Sequence, residues 1–135
     1  MVLAAAAVAA GWAPRAAGAP PPRPAAAPQA VLEGAFTAAQ AARGERTFDE
    51  VCAGCHDTGE FSGARFRLGW VDRSVGELFD IISTLMPEGD PGSLSPGEYA
   101  AVVAFLLQLN GYPAGETPLP TNLSALQELE IVEAP

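Results

Sequence analysis

The pentad Cys52-Ala53-Gly54-Cys55-His56 constrains this chain more than any other feature, because its reactive side chains occupy positions i, i+3 and i+4. Side chains at these positions lie on one side of a helical turn, with Cβ atoms roughly 5–6 Å apart. One turn can therefore bring two thiols to the edge of a porphyrin and an imidazole beneath its iron. The pattern is typical of c-type haem attachment. It predicts one covalent haem c, bound through Cys52 and Cys55, with His56 as an axial iron ligand.

Other interpretations of the pentad are less well supported by the sequence. A tetrahedral zinc site requires four ligands, and the two cysteines and the single histidine of the chain all lie inside the pentad. A thioredoxin-like redox pair expects a βαβ context, whereas the flanking segments have no strand pattern. A haem-free domain with a Cys52–Cys55 disulfide stays open as an alternative.

The length and charge of the chain limit its architecture and its partners. A chain of 135 residues corresponds to one domain, and a domain of this size gains stability by packing around a large apolar cofactor. The net charge is −9, from 16 acidic residues and seven basic ones, all of them arginine. This charge argues against nucleic acid and anionic membrane surfaces as partners.

Residues 1–30 are predicted to be a signal peptide with an Ala/Pro-rich leader or linker. The apolar run over residues 1–13 is shorter than the about 20 residues that span a bilayer, and it resembles the apolar region of a secretory signal. No basic residue precedes this run, so a disordered Ala/Pro tail is the alternative. We predict export to the periplasm, where bacterial haem attachment takes place, and no stable membrane insertion of the mature chain.

The helix that leads into the pentad is predicted to begin at the capping box Thr37-x-x-Gln40. Its buried face is indicated by residues at intervals of three or four: Ala41, Gly44, Phe48 and Val51. Glycine inside a helix costs about 1 kcal/mol relative to alanine. Gly44 therefore suggests the close approach of another backbone or of an aromatic ring, with simple tolerance as the alternative.

Residues 57–73 show no helical period and are interrupted by glycines, so they are expected to be irregular. Their large apolar side chains are expected to form a wall around a flat cofactor: Phe61, Phe66, Leu68 and Trp70. The Trp70 indole N–H and three arginines are candidate partners for haem propionates, although each arginine could be an ordinary surface residue: Arg65, Arg67 and Arg73.

A second helix is predicted from the capping box Ser74-x-x-Glu77 to Met86, because a residue before proline is disfavoured in helical geometry. A methionine at a helix end often fills a core. Met86, however, is the only methionine besides the initiator, and no second histidine is present. We therefore predict Met86 as the distal iron ligand.

A third helix is predicted from Pro96 to Gln108, after the capping box Ser95-x-x-Glu98. It is apolar on nearly all sides, which predicts burial, and Asn110-Gly111 is expected to end it. Residues 116–135 are predicted to be a Pro-rich tail along the surface, with one short turn at 124–127.

These features together resemble a bacterial class I monohaem cytochrome c over roughly residues 38–115. Gly44-x3-Phe48-x3-Cys52 is similar to the first-helix signature of that family, in which the glycine packs against an aromatic residue of the last helix. Phe105 matches that aromatic residue. The segments 86–100 and 110–115 resemble periplasmic cytochromes associated with quinoprotein (PQQ) dehydrogenases.

One departure from the family concerns the proximal histidine. Many class I cytochromes carry a proline soon after the pentad, and its carbonyl accepts the N–H of that histidine. Residues 57–73 contain no proline. The resemblance therefore implies either that another carbonyl, near residues 62–64, orients His56 or that the hydrogen bond to this histidine is weaker than in the family.

The resemblance implies an all-α fold, a small cytochrome c-type helical domain over residues 31–115 packed around one covalently bound haem. It implies a non-catalytic one-electron carrier with redox protein partners, a dehydrogenase as donor and a respiratory oxidase as acceptor. His56 and Met86 would fill both axial positions, and a thioether ligand raises the reduction potential. The alternatives are a haem-based gas sensor or weak peroxidase with a labile distal ligand, and the haem-free disulfide domain.

Overall fold

The computed structural model describes residues 29–134 and confirms the predicted all-α fold. Its helices are α1 (Ala38–Thr47), α2 (Gly63–Trp70), α3 (Val75–Leu85), α4 (Pro96–Leu109) and α5 (Leu123–Gln127). Three very short strands form one sheet: β1 (Gln29–Ala30), β2 (Arg73–Ser74) and β3 (Leu129–Ile131). The predicted leader, residues 1–30, lies outside the described residues except for the two residues of β1.

Helix α4 is the most deeply buried element of the described chain. Every residue from Tyr99 to Leu107 is buried, as its apolar composition predicts. Helix α1 packs directly along it, and a Cβ added at Gly44 would overlap the carbonyl oxygen of Ala101. The close backbone approach predicted from Gly44 is therefore confirmed, and it brings the helix that leads to the pentad against the core.

The aromatic residue expected to pack on Gly44 has a different principal contact. The ring of Phe105 lies against that of Phe48, with 5.5 Å between the ring centroids, whereas the atoms nearest to a Cβ at Gly44 belong to the backbone of Ala101 and Val102. The small residue thus allows the two backbones to approach, and the aromatic pair fills the next turn towards the pentad.

Two of the three predicted capping boxes are complete, those of Ser74 with Glu77 and of Ser95 with Glu98. At the start of α1, Thr37 accepts a hydrogen bond from the N–H of Gln40 at 3.1 Å. The Gln40 side chain, however, is buried and bonds both backbone groups of Leu119. Its Oε1 accepts from the Leu119 N–H at 2.7 Å, and its Nε2 donates to the Leu119 carbonyl at 3.2 Å. The amide thereby provides hydrogen-bond partners for the backbone of Leu119, a buried residue that belongs to no helix or strand.

Replacing Gln40 with leucine is expected to lower the free energy of unfolding by about 2 kcal/mol, because both Leu119 backbone groups would stay buried without partners. Denaturant unfolding of the haem-loaded protein measures the loss. Gln108→Leu, at an exposed position of α4, is the matched control and should change stability by less than about 0.5 kcal/mol. Equal effects of the two substitutions would contradict the prediction.

Residues 57–73 are more helical than predicted. A 3₁₀ turn, Thr58–Phe61, precedes α2, and it begins at a capping box formed by Asp57 and Glu60 that the sequence analysis did not identify. Helix α2 has only eight residues, and two of them are glycines, Gly63 and Gly69. The periodic spacing of its apolar residues was therefore too short and too interrupted to predict a helix.

Residues 116–134 contribute to the core, although they were expected to follow the surface. Four of their apolar side chains are buried in the same cluster as those of α4: Leu119, Leu126, Leu129 and Ile131. Polar residues and one proline, Pro120, separate these apolar residues, so they form no periodic pattern in the sequence. The predicted short turn is confirmed as helix α5.

The tail also supplies the central strand of the sheet. Strand β3 lies between β1, to which it is parallel, and β2, to which it is antiparallel.

Candidate functional site

The pentad forms a tight turn directly after the first helix. Helix α1 passes into one wider π-type turn over Phe48–Cys52. The N–H groups of Cys55 and His56 then both donate to the carbonyl of Cys52 at 3.0 Å. The three chemically reactive residues therefore belong to one turn, as their spacing predicts. A π-type turn within a helix is frequently found at functional sites.

An apolar cavity of about 380 Å³ opens beside this turn. Its volume lies within the roughly 300–1,000 Å³ of small-molecule and cofactor sites. The side chains of Cys52, Cys55, His56 and Met86 all line it. Most of the rest of its wall is apolar or aromatic and comes from the π-type turn, the segment after the pentad and helices α2, α3 and α4: Phe48, Phe61, Phe66, Trp70, Leu78, Ile82, Tyr99, Val102 and Leu106.

The two cysteines differ in their surroundings. Both carry free thiols, but Cys52 is half-buried against the core and Cys55 is exposed. Burial raises the pKa of the Cys52 thiol, so this group is protonated at neutral pH. One thiol therefore lies on the inner side of the cavity and the other at its mouth.

Three of the four aromatic or aliphatic residues predicted as a wall do line the cavity, namely Phe61, Phe66 and Trp70. The prediction is wrong for Leu68, which is 91% exposed on the outer side of α2. Val51, predicted to be buried, is 38% exposed where it lines the cavity. Both errors arise because exposure here depends on how a short helix is turned relative to the cavity, which residue type alone does not indicate.

The three arginines considered as propionate partners do not line the cavity. The Nε of Arg67 lies 3.5 Å from a carboxylate oxygen of Glu133. Arg73 contacts Glu77 at 3.1 Å, and its guanidinium carbon lies 4.5 Å from the centre of the Trp70 ring. Arg67 and Arg73 therefore support the outer face of α2 and the start of α3.

The backbone of Met86, at the end of α3, is fixed by a hydrogen bond from Tyr99. The Tyr99 hydroxyl donates to the carbonyl of Met86 at 2.7 Å and accepts from the N–H of Leu94 at 3.4 Å. Tyr99 is buried, and its ring packs edge-on against Phe79, with 6.4 Å between the ring centroids. One side chain of α4 thus joins both ends of the loop that follows Met86. The apolar composition of this helix predicted its burial but not this role of Tyr99.

His56 has a carboxylate neighbour rather than the predicted carbonyl near residues 62–64. Its Nδ1 lies 3.4 Å from Oε2 of Glu60. The other oxygen of Glu60 accepts the N–H of Asp57 at 3.0 Å. The pKa of Glu60 is lowered, first by the hydrogen bond from the Asp57 backbone and then by that from His56. Glu60 is therefore ionised at neutral pH, with one oxygen in the capping box and one beside the imidazole.

Asn110 connects the end of α4 to the segment that follows the pentad. Its Nδ2 donates to the carbonyls of Phe61 and Leu106, both at 2.8 Å, and its Oδ1 accepts from the N–H of Gly63 at 3.0 Å. Asn110 was predicted only to end the helix together with Gly111. Its side chain in fact fixes the junction between the 3₁₀ turn and α2, which forms part of the cavity wall.

The donor set at the cavity fits a covalently bound haem. Two thiols, one imidazole and one thioether are the groups that attach and ligate iron in cytochromes of the c type. They lie on the wall of a largely apolar cavity, in which a flat apolar macrocycle would be shielded from water.

Comparison with known proteins agrees with this chemistry. Residues 39–106, half of the chain, match the family described as cytochrome c oxidase, cbb3-type, subunit III. The chain belongs to this family. It is accordingly a class I monohaem c-type cytochrome that binds covalently attached haem c, and the matched range contains the pentad and Met86. No curated protein and no solved structure matches the chain.

Membership of this family establishes an electron-transfer role with redox protein partners. Within residues 29–134, no helix has the length and apolar character that crossing a membrane requires.

Proposed function

We propose that this cytochrome is a periplasmic one-electron carrier in which Cys52 and Cys55 attach the haem and His56 and Met86 ligate its iron. The observation that carries the proposal is the convergence of these four side chains on one apolar cavity. When bound, haem c supplies reversible one-electron exchange between its ferrous and ferric states. His56 and Met86 would both hold the iron, which would leave no ligand position for a substrate.

The surroundings of the cavity support electron exchange at its mouth. Cys55 is exposed there, and the cavity-lining residues Val51 and Ile81 are 38% and 37% exposed. This small apolar rim suits brief contact with another redox protein, since such encounters bury little surface. The lining of the cavity is largely apolar, which would limit the access of water to a bound haem.

We further propose a dehydrogenase as electron donor, with the quinoprotein class as the candidate, and a respiratory oxidase as acceptor. The resemblance of residues 86–100 and 110–115 to cytochromes of quinoprotein dehydrogenases supports the donor, and the oxidase in the name of the matched family supports the acceptor. Because the chain has a net charge of −9, a partner that uses electrostatic steering needs a basic docking surface.

Visible spectra of the protein, produced together with haem-attachment machinery, test this proposal. We expect a sharp ferrous c-type spectrum and, in the ferric form, the weak far-red band of a sulfur–iron bond. Haem without that band would instead indicate an open distal site, as in a gas sensor or weak peroxidase. Protein without any haem would leave only the disulfide domain.

Replacing Tyr99 with phenylalanine is expected to weaken the bond between the Met86 sulfur and the iron. The Met86 carbonyl loses its hydroxyl donor, so the backbone that positions this side chain is less firmly fixed. A hydrogen bond worth about 1 kcal/mol corresponds to roughly fivefold tighter binding of an external ligand that displaces the thioether. Titration of the ferric protein with imidazole measures this displacement.

Tyr112→Phe is the matched control for Tyr99→Phe. Tyr112 is equally buried, and its hydroxyl donates to the carbonyl of Val132 at 2.6 Å, but it does not line the cavity. We expect similar losses of stability from the two substitutions and tighter imidazole binding only with Tyr99→Phe. Unchanged imidazole affinity in that variant would contradict the prediction.

A further inference from the structure

We propose that Glu60 is a positioning residue for His56 and that its charge lowers the reduction potential of the haem. The proposal rests on His56 being the proximal ligand. It concerns the side of the imidazole that faces away from the iron, where the carbonyl partner expected from the sequence is replaced by a carboxylate.

The carboxylate is directed at the imidazole by the local backbone. Asp57 and Glu60 form a complete capping box around the 3₁₀ turn, in which the N–H of Asp57 holds Oε1 of Glu60 at 3.0 Å. The remaining oxygen, Oε2, lies 3.4 Å from Nδ1 of His56. Glu60 can therefore accept the Nδ1 proton while its capping bond is kept.

Two further contacts limit the movement of this turn. The Phe61 ring meets the imidazole at a steep angle, with 5.3 Å between the ring centroids, and the Phe61 carbonyl accepts from Asn110 at 2.8 Å. With Nδ1 directed at Glu60, the tautomer that carries its proton on Nδ1 leaves Nε2 free as the iron-binding nitrogen. The geometry therefore selects which ring nitrogen binds the metal.

The charge of the partner gives this contact a redox consequence. A carboxylate accepts the Nδ1–H more strongly than a neutral carbonyl does, and it thereby makes the imidazole a more basic ligand. A more basic proximal ligand favours ferric over ferrous iron. Glu60 should thus oppose the potential-raising effect of a thioether ligand on the other side.

The reduction potentials of Glu60→Gln and of Glu98→Gln, measured on the haem-loaded protein at one pH, test the proposal. Glu98 is also the glutamate of a capping box, exposed, and bonded to the N–H of Ser95 at 2.8 Å, but it does not line the cavity. Each variant loses one negative charge and alters one cap. The comparison therefore separates an effect local to His56 from the loss of net charge and of a helix cap.

We expect Glu60→Gln to shift the ferrous/ferric equilibrium towards ferrous iron by at least threefold, which is about 28 mV for a one-electron couple. Glu98→Gln should shift it by clearly less. Equal shifts would assign the effect to net charge, and no shift in Glu60→Gln would show that the carboxylate does not act on the ligand. Either result overturns the proposal.

A second readout does not depend on the potential. In a Met86→Leu background, the iron–histidine stretching frequency of the ferrous form should fall when Glu60→Gln is added and stay constant when Glu98→Gln is added. An unchanged frequency in both would overturn the proposal. Failure of the proposed function is recognised separately, because the unsubstituted protein would then lack haem or the far-red band.

Discussion

Replacing Gly44 with alanine is expected to lower the free energy of unfolding by about 3 kcal/mol, because overpacking forces the surrounding structure to move. The added Cβ would overlap the carbonyl oxygen of Ala101. Since that oxygen belongs to the backbone of a buried helix, no side-chain rotation can relieve the overlap. Helices α1 and α4 must separate, which loosens the packing behind the pentad. Denaturant unfolding of the haem-loaded protein measures the loss.

Gly69→Ala is the matched control. Gly69 is also helical, and a Cβ there meets nothing within 4 Å. The control should gain about 0.4–1 kcal/mol, since alanine restricts the unfolded chain more than glycine does. If Gly44→Ala were as stable as this control, the helices would have to tolerate a wider spacing than the structure has. The haem spectrum of Gly44→Ala shows in addition whether the separation reaches the site.

Replacing Met86 with leucine is expected to change the iron site more than any other single substitution in the cavity apart from the pentad. Leucine has nearly the volume of methionine, so folding should cost less than about 1.5 kcal/mol, but it offers no sulfur to the iron. We expect the ferric far-red band to disappear. We also expect the potential to fall on the order of 0.1 V, a modest part of the roughly 0.8 V over which axial ligands set it.

The opened iron position should also become reactive. Ferrous Met86→Leu is expected to bind carbon monoxide, whereas the unsubstituted protein should resist it. Leu85→Ala is the control, because Leu85 precedes Met86 in the chain but is 56% exposed and does not line the cavity. If the Met86→Leu variant kept the far-red band and still did not bind carbon monoxide, Met86 could not be the distal ligand. Optical titration with the gas distinguishes these outcomes.

The parts of the fold that the sequence predicted correctly depend on local patterns. The turn at the pentad follows from the i, i+3, i+4 spacing, and the capping boxes at Ser74 and Ser95 mark where α3 and α4 begin. The burial of α4 follows from its composition. Gly44 was informative because a glycine inside a helix is unfavourable unless another group needs the space.

The parts that the sequence analysis missed depend on contacts between residues far apart in the chain. Gln40 was assigned to a cap, but it bonds a segment 79 residues away. Asn110 and Tyr99 hold segments on either side of the cavity through single polar groups. The residue type of a side-chain amide or hydroxyl does not indicate whether the group faces water or a buried carbonyl. Its hydrogen-bond partner is therefore known only from the three-dimensional structure.

Glu60 was missed for a different reason. The family resemblance directed attention to a carbonyl, and residues 57–60 form a capping box around a turn too short to have a hydrophobic period. The spacing of Asp57 and Glu60 was nevertheless present in the sequence. A capping box directly after a haem-binding pentad is therefore worth testing as a source of a carboxylate for the proximal histidine in related chains.

The small sheet has a consequence for the order of events during biosynthesis. Gln29 pairs with Leu129, which is 100 positions later, and β3 follows every residue that lines the cavity. A polypeptide emerging from its N-terminus therefore presents its thiols, and then the whole cavity wall, before strand β3, the partner of β1 and β2, exists. Loop closure over such a separation carries an entropic cost that local helical contacts do not. We expect sheet formation to come last, so that cofactor attachment can precede the final closure of the fold.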